Sequence, residues 1–157
     1  MKREDYLSWD EYFMGIAMLS ALHSKDPSTQ VGACIVGPDL RIRSMGYNGM
    51  PRCCNDDEYP WGHDAGLDSK YLYVCHAELN AILNCNASVC GCTVYTTLFP
   101  CNECAKAIIQ SGVTEIVYQS DKYAESDSVK ASKRMFDSAG VRYRQYVSNH
   151  KQAILDL

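Results

Sequence analysis

The second half of the chain alternates helical and strand-like segments, and this alternation constrains the fold more than any other feature of the sequence. The periodicity of apolar residues predicts helices over 77–85, 101–111 and 128–139 and strands over 93–98, 115–119 and 141–147. Gly112 and Gly140 mark the ends of the last two helices. Since strands connected through helices usually run parallel in a sheet that helices cover, we expect these strands to be parallel.

The first half of the chain adds one helix and one hairpin. The capping box S-W-D-E at 8–11 predicts the start of the helix, and we expect Asp26-Pro27 to end it. The apolar residues of this stretch include Tyr12, Phe13, Ile16, Leu19 and Leu22. Segments 31–36 and 41–47 flank a Gly-Pro-Asp turn and predict two antiparallel strands. The whole pattern indicates an α/β fold with a mostly parallel sheet covered on both faces.

Length and composition indicate one soluble domain. The 157 residues contain no repeat, low-complexity segment or linker, so we treat 1–157 as a single domain. The start of the chain is unlike a secretory signal, and no apolar run approaches the ~20 residues of a membrane helix. We therefore expect a cytoplasmic protein without membrane association. A net charge of −4 without a basic run argues against nucleic acid as a partner.

Two short motifs, C-H-A-E at 75–78 and P-C-N-E-C at 100–104, contain candidate metal ligands at predicted helix starts. Cys101 and Cys104 are three residues apart, so they share one face of a first helical turn, where the helix dipole favours thiolates. With His76 they fill three positions of a tetrahedral zinc ion and leave the fourth for water. An open fourth position is typical of a catalytic zinc site.

Glu78 adds proton chemistry to this set of ligands. It follows His76 by two residues, so it can reach a metal-bound water without being a ligand. The combination H-x-E with P-C-x-x-C is characteristic of zinc-dependent nucleobase deaminases. Two other interpretations stay open here: a structural zinc site with Cys75, Cys90 or Cys92 as a further ligand, and a thioredoxin-like redox pair. The redox pair would leave His76 and Glu78 unexplained.

Residues 48–75 show no regular period, and a connection of this length is usually functional or disordered. Cys53, Cys54 and His63 lie within it and are candidate ligands of a second metal ion, although an unligated loop is the simpler interpretation. Cys34 and Cys85 fall at expected core positions, where a free cysteine behaves as a small hydrophobic residue.

Longer motifs make the chain resemble the deoxycytidylate (dCMP) deaminase family. They are S-K-D-P at 24–27, Q-V-G-A at 30–33, G-Y-N-G-M-P at 46–51, H-A-E-L-N-A-I at 76–82 and S-D-K-Y at 120–123. The resemblance extends from about residue 6 to residue 146. It implies a three-layer α/β/α sandwich around a five-stranded mixed sheet, and hydrolysis of dCMP to dUMP, which feeds thymidylate synthesis.

The resemblance also implies roles for individual residues. It assigns the zinc ligands to His76, Cys101 and Cys104, and the proton transfer to N3 of cytosine to Glu78. The backbone N–H of Ala77 would contact the base, and Asn48 would bind the sugar or the edge of the base. Tyr123 corresponds to a substrate-binding position, and Lys25 is a candidate for the phosphate.

The resemblance finally implies an assembly and its regulation. Members of the family are typically homohexamers that dCTP activates and dTTP inhibits, with Mg²⁺ expected alongside a triphosphate effector. Gly46, Tyr47, Gly49 and Met50 would belong to the effector site. Cys53-Cys54 and the stretch 61–70 depart from the usual family pattern.

Three alternatives compete with dCMP deamination. A deaminase that also or mainly accepts dCTP would share all of these motifs. A tRNA or other nucleic-acid deaminase shares only the zinc motif and usually has a basic channel, so the net charge and the G-Y-N-G-M-P motif argue against it. A non-catalytic zinc-binding domain would have no use for Glu78.

Overall fold

The computed structural model describes residues 1–150 and 152–157 and contains one five-stranded sheet. Its strands are β1 (Gly32–Val36), β2 (Ile42–Tyr47), β3 (Thr93–Leu98), β4 (Glu115–Ser120) and β5 (Arg142–Gln145). Its helices are α1 (Trp9–Ala21), α2 (Ala77–Asn84), α3 (Asn102–Gln110) and α4 (Asp127–Ala139). None of the helices in the described residues combines the length and the apolar character that a membrane span requires.

The strands lie in the order β2-β1-β3-β4-β5 and form a mixed sheet. Strand β1 is antiparallel to both of its neighbours, whereas β3, β4 and β5 are parallel. The connection from β2 to β3 contains α2, and it places β3 on the far side of β1. The expected hairpin and the expected parallel strands are both confirmed.

Helices cover the two faces of the sheet unequally. On one face, α1 packs alone and contributes Phe13, Met14 and Ala17 to a cluster of seven buried residues, whose other members are Cys34, Val36, Tyr95 and Val117 of the sheet. On the other face, α2, α3 and α4 together bury a larger core that includes Ala77, Ala81, Ala105, Ile108, Val129 and Phe136. The three-layer α/β/α arrangement is therefore confirmed, with one helix in one outer layer and three in the other.

The start of α1 agrees with the sequence, but its end does not. The Glu11 N–H donates to Ser8 Oγ (3.2 Å) and the Ser8 N–H donates to Glu11 Oε2 (2.8 Å), so the capping box is present. The helix ends at Ala21, and the expectation that Asp26-Pro27 ends it was wrong. Beyond the helix end, the Ser24 hydroxyl donates to the Asn48 carbonyl at 2.8 Å and ties the following loop to the end of β2.

Only some of the apolar residues that the sequence places in α1 are buried against the sheet. Phe13, Met14, Ala17 and Ala21 are buried, whereas Tyr12, Leu19 and Leu22 are exposed. The buried positions follow the three- and four-residue spacing of one helix face, and small alanines let the helix lie close to the strands.

Residues 48–75 contain more local structure than the sequence indicates. Two short 3₁₀ helices, Gly66–Asp68 and Lys70–Leu72, lie within them. Gly49 and Cys75 exchange backbone hydrogen bonds of 3.0 and 2.8 Å, so the two ends of this long connection are held together beside α2.

Candidate active site

The first turns of α2 and α3 bring the two sequence motifs together. His76 is the N-cap of α2 and Cys101 is the N-cap of α3, where its Sγ accepts the Cys104 N–H at 3.5 Å. Gly46 in β2 allows α2 to lie close to the sheet. A Cβ at Gly46 would lie 2.3 Å from the Ala77 carbonyl oxygen and 2.4 Å from the Ala81 nitrogen.

His76, Cys101 and Cys104 form a cluster that fits a zinc ion. Nδ1 of His76 lies 3.3 Å from Sγ of Cys101 and 3.5 Å from Sγ of Cys104. A tetrahedral zinc with bonds of about 2.3 Å to sulfur and about 2.0 Å to nitrogen holds its ligand atoms roughly 3.5 Å apart. Among the described residues, no further His, Cys, Asp or Glu belongs to this cluster, so the protein offers three ligands. A structural site completed by Cys75, Cys90 or Cys92 therefore has no support.

The cluster stabilises a thiolate. The pKa of Cys101 is lowered to about 4, chiefly by its hydrogen bond with the Cys104 thiol. The hydrogen bond with His76 lowers this pKa further, whereas burial of the thiol opposes both effects. The pKa of the Cys104 thiol is raised, chiefly because it interacts with the Cys101 sulfur. The hydrogen bond with Cys101 also raises the pKa of His76. A thiolate beside a second cysteine sulfur and an imidazole is a suitable environment for zinc.

Glu78 lies in the first turn of α2, next to the cluster but outside it. Glu78 is only 4% exposed, and this burial raises the pKa of its carboxyl group. Thr96, which is fully buried in β3, places its Oγ1 3.4 Å from Glu78 Oε1 and 2.9 Å from the Leu98 carbonyl oxygen. A buried carboxyl group with a raised pKa is suited to accept and return a proton during a reaction.

The cluster and Glu78 open into a cavity of about 640 Å³, a size typical of small-molecule sites. Its walls include the apolar residues Val31, Val74, Leu98, Phe99 and Val129. Lys122 and Tyr123 line its solvent-exposed part, where the Lys122 Nζ lies 4.9 Å from the centre of the Tyr123 ring. The cavity therefore combines a metal-binding, apolar interior with a cation near solvent.

The four residues expected to bind substrate lie in different environments. Asn48, Ala77 and Tyr123 line the cavity. Lys25 is exposed, forms an ion pair with Asp56, and is not among the described residues that line the cavity. Lys122 and Lys70 also line the cavity, although neither was expected there from the sequence. Lys122 could have been found because it belongs to the S-D-K-Y motif, whereas Lys70 lies in a stretch without any pattern.

The residues expected at the effector site divide into buried and accessible positions. Gly46 is buried against the backbone of α2. Gly49 is also buried, and its backbone pairs with that of Cys75. Tyr47 is exposed and its ring meets the His23 ring edge-on at 4.7 Å, while Met50 is half-buried. Only Tyr47 and Met50 therefore present side chains that a ligand could contact.

The candidate second metal site is not assembled in the described residues. The two ring nitrogens of His63 lie 2.7 Å from the Tyr71 hydroxyl and 3.0 Å from the Ser28 hydroxyl. Across all the described residues, one group of at least three His, Cys, Asp or Glu side chains is close enough to share a metal ion, and it consists of His76, Cys101 and Cys104.

Fold and site together define a zinc-dependent deaminase class, and comparisons with known proteins identify the family. The family described as the cytidine and deoxycytidylate deaminase zinc-binding region matches residues 7–120. The deoxycytidylate deaminase of Homo sapiens is 54% identical, over 99% of this chain and 89% of that protein. The probable deoxycytidylate deaminase of Drosophila melanogaster is 52% identical, over 99% of this chain and 80% of that protein.

A solved structure supports the same assignment. The dCMP deaminase from the cyanophage S-TIM5, in complex with dCMP and dUMP, matches with a TM-score of 0.71 and 25% identity, over 87% of this chain and 95% of that one. This chain belongs to the cytidine and deoxycytidylate deaminase family. The resemblance inferred from the sequence motifs is therefore confirmed.

Proposed function

We propose that this protein hydrolyses dCMP to dUMP and ammonia, and that it thereby supplies dUMP for thymidylate synthesis. The observation that carries this proposal is the buried Glu78 beside the His76, Cys101 and Cys104 cluster, inside a cavity of nucleotide size. Identity of 54% over nearly the whole chain to a deoxycytidylate deaminase supports dCMP as the substrate.

The residues around the cluster supply the steps of the reaction. His76, Cys101 and Cys104 would hold zinc, which when bound lowers the pKa of a water ligand toward ~7. Glu78 accepts the proton of the attacking water and delivers it to N3 of cytosine as the water oxygen adds to C4. Glu78 then moves the remaining proton of the added hydroxyl to the amino group on C4. The C4–N bond breaks, ammonia leaves, and the C4 carbonyl of dUMP forms. The Thr96 hydroxyl donates its one proton to the Leu98 carbonyl, so it can accept a hydrogen bond from the protonated carboxyl group of Glu78 and orient it between the two transfers.

The rest of the cavity fits the other parts of a nucleotide. The apolar walls accommodate the base, with the backbone N–H of Ala77 directed at its edge, and Asn48 binds the sugar. Lys122 and Tyr123, near solvent, bind the phosphate. Lys122 suits this role better than Lys25, because Lys25 is already paired with Asp56 outside the cavity. Phosphate binding needs only one or two local cations, which is compatible with the net charge of −4.

Regulation and assembly are part of the same proposal. We expect a homohexamer that dCTP, with Mg²⁺, activates and dTTP inhibits, with Tyr47 and Met50 near the effector. Their exposed or half-buried side chains support this assignment. A reducing compartment such as the cytoplasm suits the nine free cysteines.

Ultraviolet-monitored deamination of dCMP, dCTP, CMP and deoxycytidine by the zinc-loaded protein tests the proposal. Each substrate is assayed alone and with dCTP or dTTP as effector. We expect dCMP to be turned over fastest and dTTP to suppress its turnover. Preferred turnover of dCTP would replace the substrate assignment, and no turnover of any free nucleotide by the zinc-loaded protein would overturn it.

A further inference from the structure

A buried ion pair joins two loops in the wall of the cavity and has no part in the reaction steps given above. Asp26 and Lys70, 44 positions apart, have side chains that are 3% and 6% exposed. The Lys70 Nζ donates to Asp26 Oδ1 at 2.8 Å and to Oδ2 at 2.7 Å. Burying two charges costs solvation energy, so such a pair is weak evidence for a purely stabilising role.

The carboxylate of Asp26 organises the surrounding loop. Its Oδ1 also accepts the N–H groups of Ser28 (2.8 Å) and Thr29 (3.2 Å). Its Oδ2 faces the Asn48 side-chain nitrogen at 3.4 Å. Asp26 therefore connects Lys70, its own loop and Asn48, the residue assigned to the sugar.

The hydrogen bonds of Asn48 leave it one way to contact a ligand. Its Nδ2 donates to the Thr29 carbonyl (2.9 Å) and faces Asp26, and its Oδ1 accepts the Val31 N–H (2.8 Å). Both N–H groups are then occupied, whereas Oδ1 keeps a second lone pair. A flipped amide would place Oδ1 against the Thr29 carbonyl and the Asp26 carboxylate, which can only accept, and Nδ2 against the Val31 N–H, which can only donate. The network therefore presents Asn48 as a hydrogen-bond acceptor, and its partner must be a donor such as a hydroxyl group.

Lys70 completes the arrangement through its charge. It neutralises Asp26 in a cavity wall where a bare carboxylate would repel an anionic nucleotide. An ammonium group has three N–H donors, and Asp26 uses two of them.

We propose that Asp26 and Lys70 are positioning residues that hold Asn48 as an acceptor for a sugar hydroxyl of the substrate, while Lys70 cancels the charge of Asp26. This inference rests on the proposed function, because dCMP has a single sugar hydroxyl, at the 3′ position. It makes the pair a determinant of selectivity for nucleotides that keep this hydroxyl.

The test compares dCMP with 2′,3′-dideoxy-CMP, which lacks the hydroxyl. We expect the chain to prefer dCMP by about 10-fold in kcat/KM, the size of one buried hydrogen bond. In Asp26→Asn the ion pair with Lys70 is lost, and the loop that carries the Thr29 carbonyl and the Val31 N–H is held less firmly. Asn48 is then less well oriented, so the preference should fall below about 3-fold, mainly through KM. Lys70→Met should raise KM for dCMP more than for neutral deoxycytidine, and Lys70→Arg should restore most of the loss.

Two controls separate this inference from other causes. The exposed ion pair between Lys106 and Glu103 offers a control variant. Lys106→Met should change neither the preference for dCMP over dideoxy-CMP nor the ratio of the KM values for dCMP and deoxycytidine. The double variant Asp26→Asn/Lys70→Met removes both charges, so it should refold better than Lys70→Met but still lack the preference for dCMP. An unchanged preference in Asp26→Asn would reduce the pair to a structural role and overturn the inference.

Binding separates failure of the inference from failure of the proposed function. The dissociation constants of dCMP and dideoxy-CMP are measured by calorimetry in a Glu78→Gln background, where turnover does not interfere. Equal constants overturn the inference whatever the turnover of the unmodified protein. A clear preference for dCMP without turnover in the unmodified protein overturns the proposed function and supports the inference. Binding of neither nucleotide overturns both.

Discussion

Thr96 Oγ1 lies 3.4 Å from Glu78 Oε1, and both residues are buried beneath the metal-binding cluster. The Thr96 hydroxyl also lies 2.9 Å from the Leu98 carbonyl oxygen at the end of β3. The strand that leads to P-C-N-E-C therefore also orients the carboxyl group that lies on the neighbouring helix.

Thr96→Val removes this contact while keeping the shape of the side chain. We expect kcat for dCMP to fall by about 10-fold, because Glu78 is held less well, with little change in KM. Thr96→Ser keeps the hydroxyl and should retain most of the turnover, despite losing about 1 kcal/mol of unfolding free energy with its methyl group. Thr114→Val, at an exposed position near the Cys92 carbonyl, is the matched control. Equal kcat values for Thr96→Val and the unmodified protein would contradict this role.

Glu78→Gln separates chemistry from metal binding. Since Glu78 is not in the ligand cluster, we expect zinc content to be unchanged and kcat to fall by at least ~10²-fold. Glu103 is also a glutamate in the first turn of its helix, but its side chain is exposed and pairs with Lys106. Glu103→Gln should therefore keep its activity. Substantial turnover by Glu78→Gln would rule out the proton-transfer role.

Zinc content tests the ligand assignment directly. We expect about one zinc per chain, and loss of both zinc and turnover in Cys101→Ser, because the remaining two ligands hold the ion weakly. Cys90 is exposed and lies outside the cluster, so Cys90→Ser should keep both. Two zinc ions per chain would instead require a second site, for which Cys53, Cys54 and His63 are the sequence candidates.

The sequence predicted most of the site because its residues are adjacent in the chain. His76 and Glu78 share one motif, and Cys101 and Cys104 share another, so ligand spacing alone gave their chemistry. Thr96, Asp26 and Lys70 could not be found in this way. Their roles depend on contacts with residues 18 to 44 positions away, and such contacts arise only when the sheet and the long connection have folded.

The fold was predictable where local signals agreed, and the errors lie where tertiary contacts decide. The hydrogen bonds of the capping box are short-range, so the start of α1 was correct. Its end lies five residues before Asp26-Pro27, and the residues that follow make a tertiary contact, from Ser24 to Asn48, which no helix rule anticipates. The structure also shows a packing constraint between β2 and α2 at Gly46, which no sequence signal indicated, while its expected place at the effector site stays a prediction.

Gly46→Ala tests this packing constraint. Its Cβ would lie 2.3 Å from the Ala77 carbonyl oxygen, so α2 must move, and His76 and Glu78 must move with it. We expect a loss of about 1–3 kcal/mol in unfolding free energy, measured by urea titration, together with weaker zinc retention. Gly15→Ala, where a Cβ meets no atom within 4 Å and the helix gains propensity, should instead be neutral or stabilising. Normal stability of Gly46→Ala would show that α2 has room to adjust.

Glu11 gives the protein a stability that depends on pH. It accepts hydrogen bonds from the N–H groups of Ser8 (2.8 Å) and Asn149 (2.9 Å) and lies 2.7 Å from Nδ1 of His150. These contacts, that of Ser8 first, lower the pKa of Glu11 below its usual value. A lowered pKa in the folded state contributes stability above the unfolded value of about 4.3, and this contribution is lost as the pH falls below it. The melting temperature should therefore decrease more between about pH 6 and pH 3 in the unmodified protein than in Glu11→Gln.

Acid release of zinc affects both proteins and cancels in the comparison. Glu4→Gln, at an exposed position, should follow the melting curve of the unmodified protein. Parallel curves for Glu11→Gln and the unmodified protein would mean that these contacts do not stabilise the folded state.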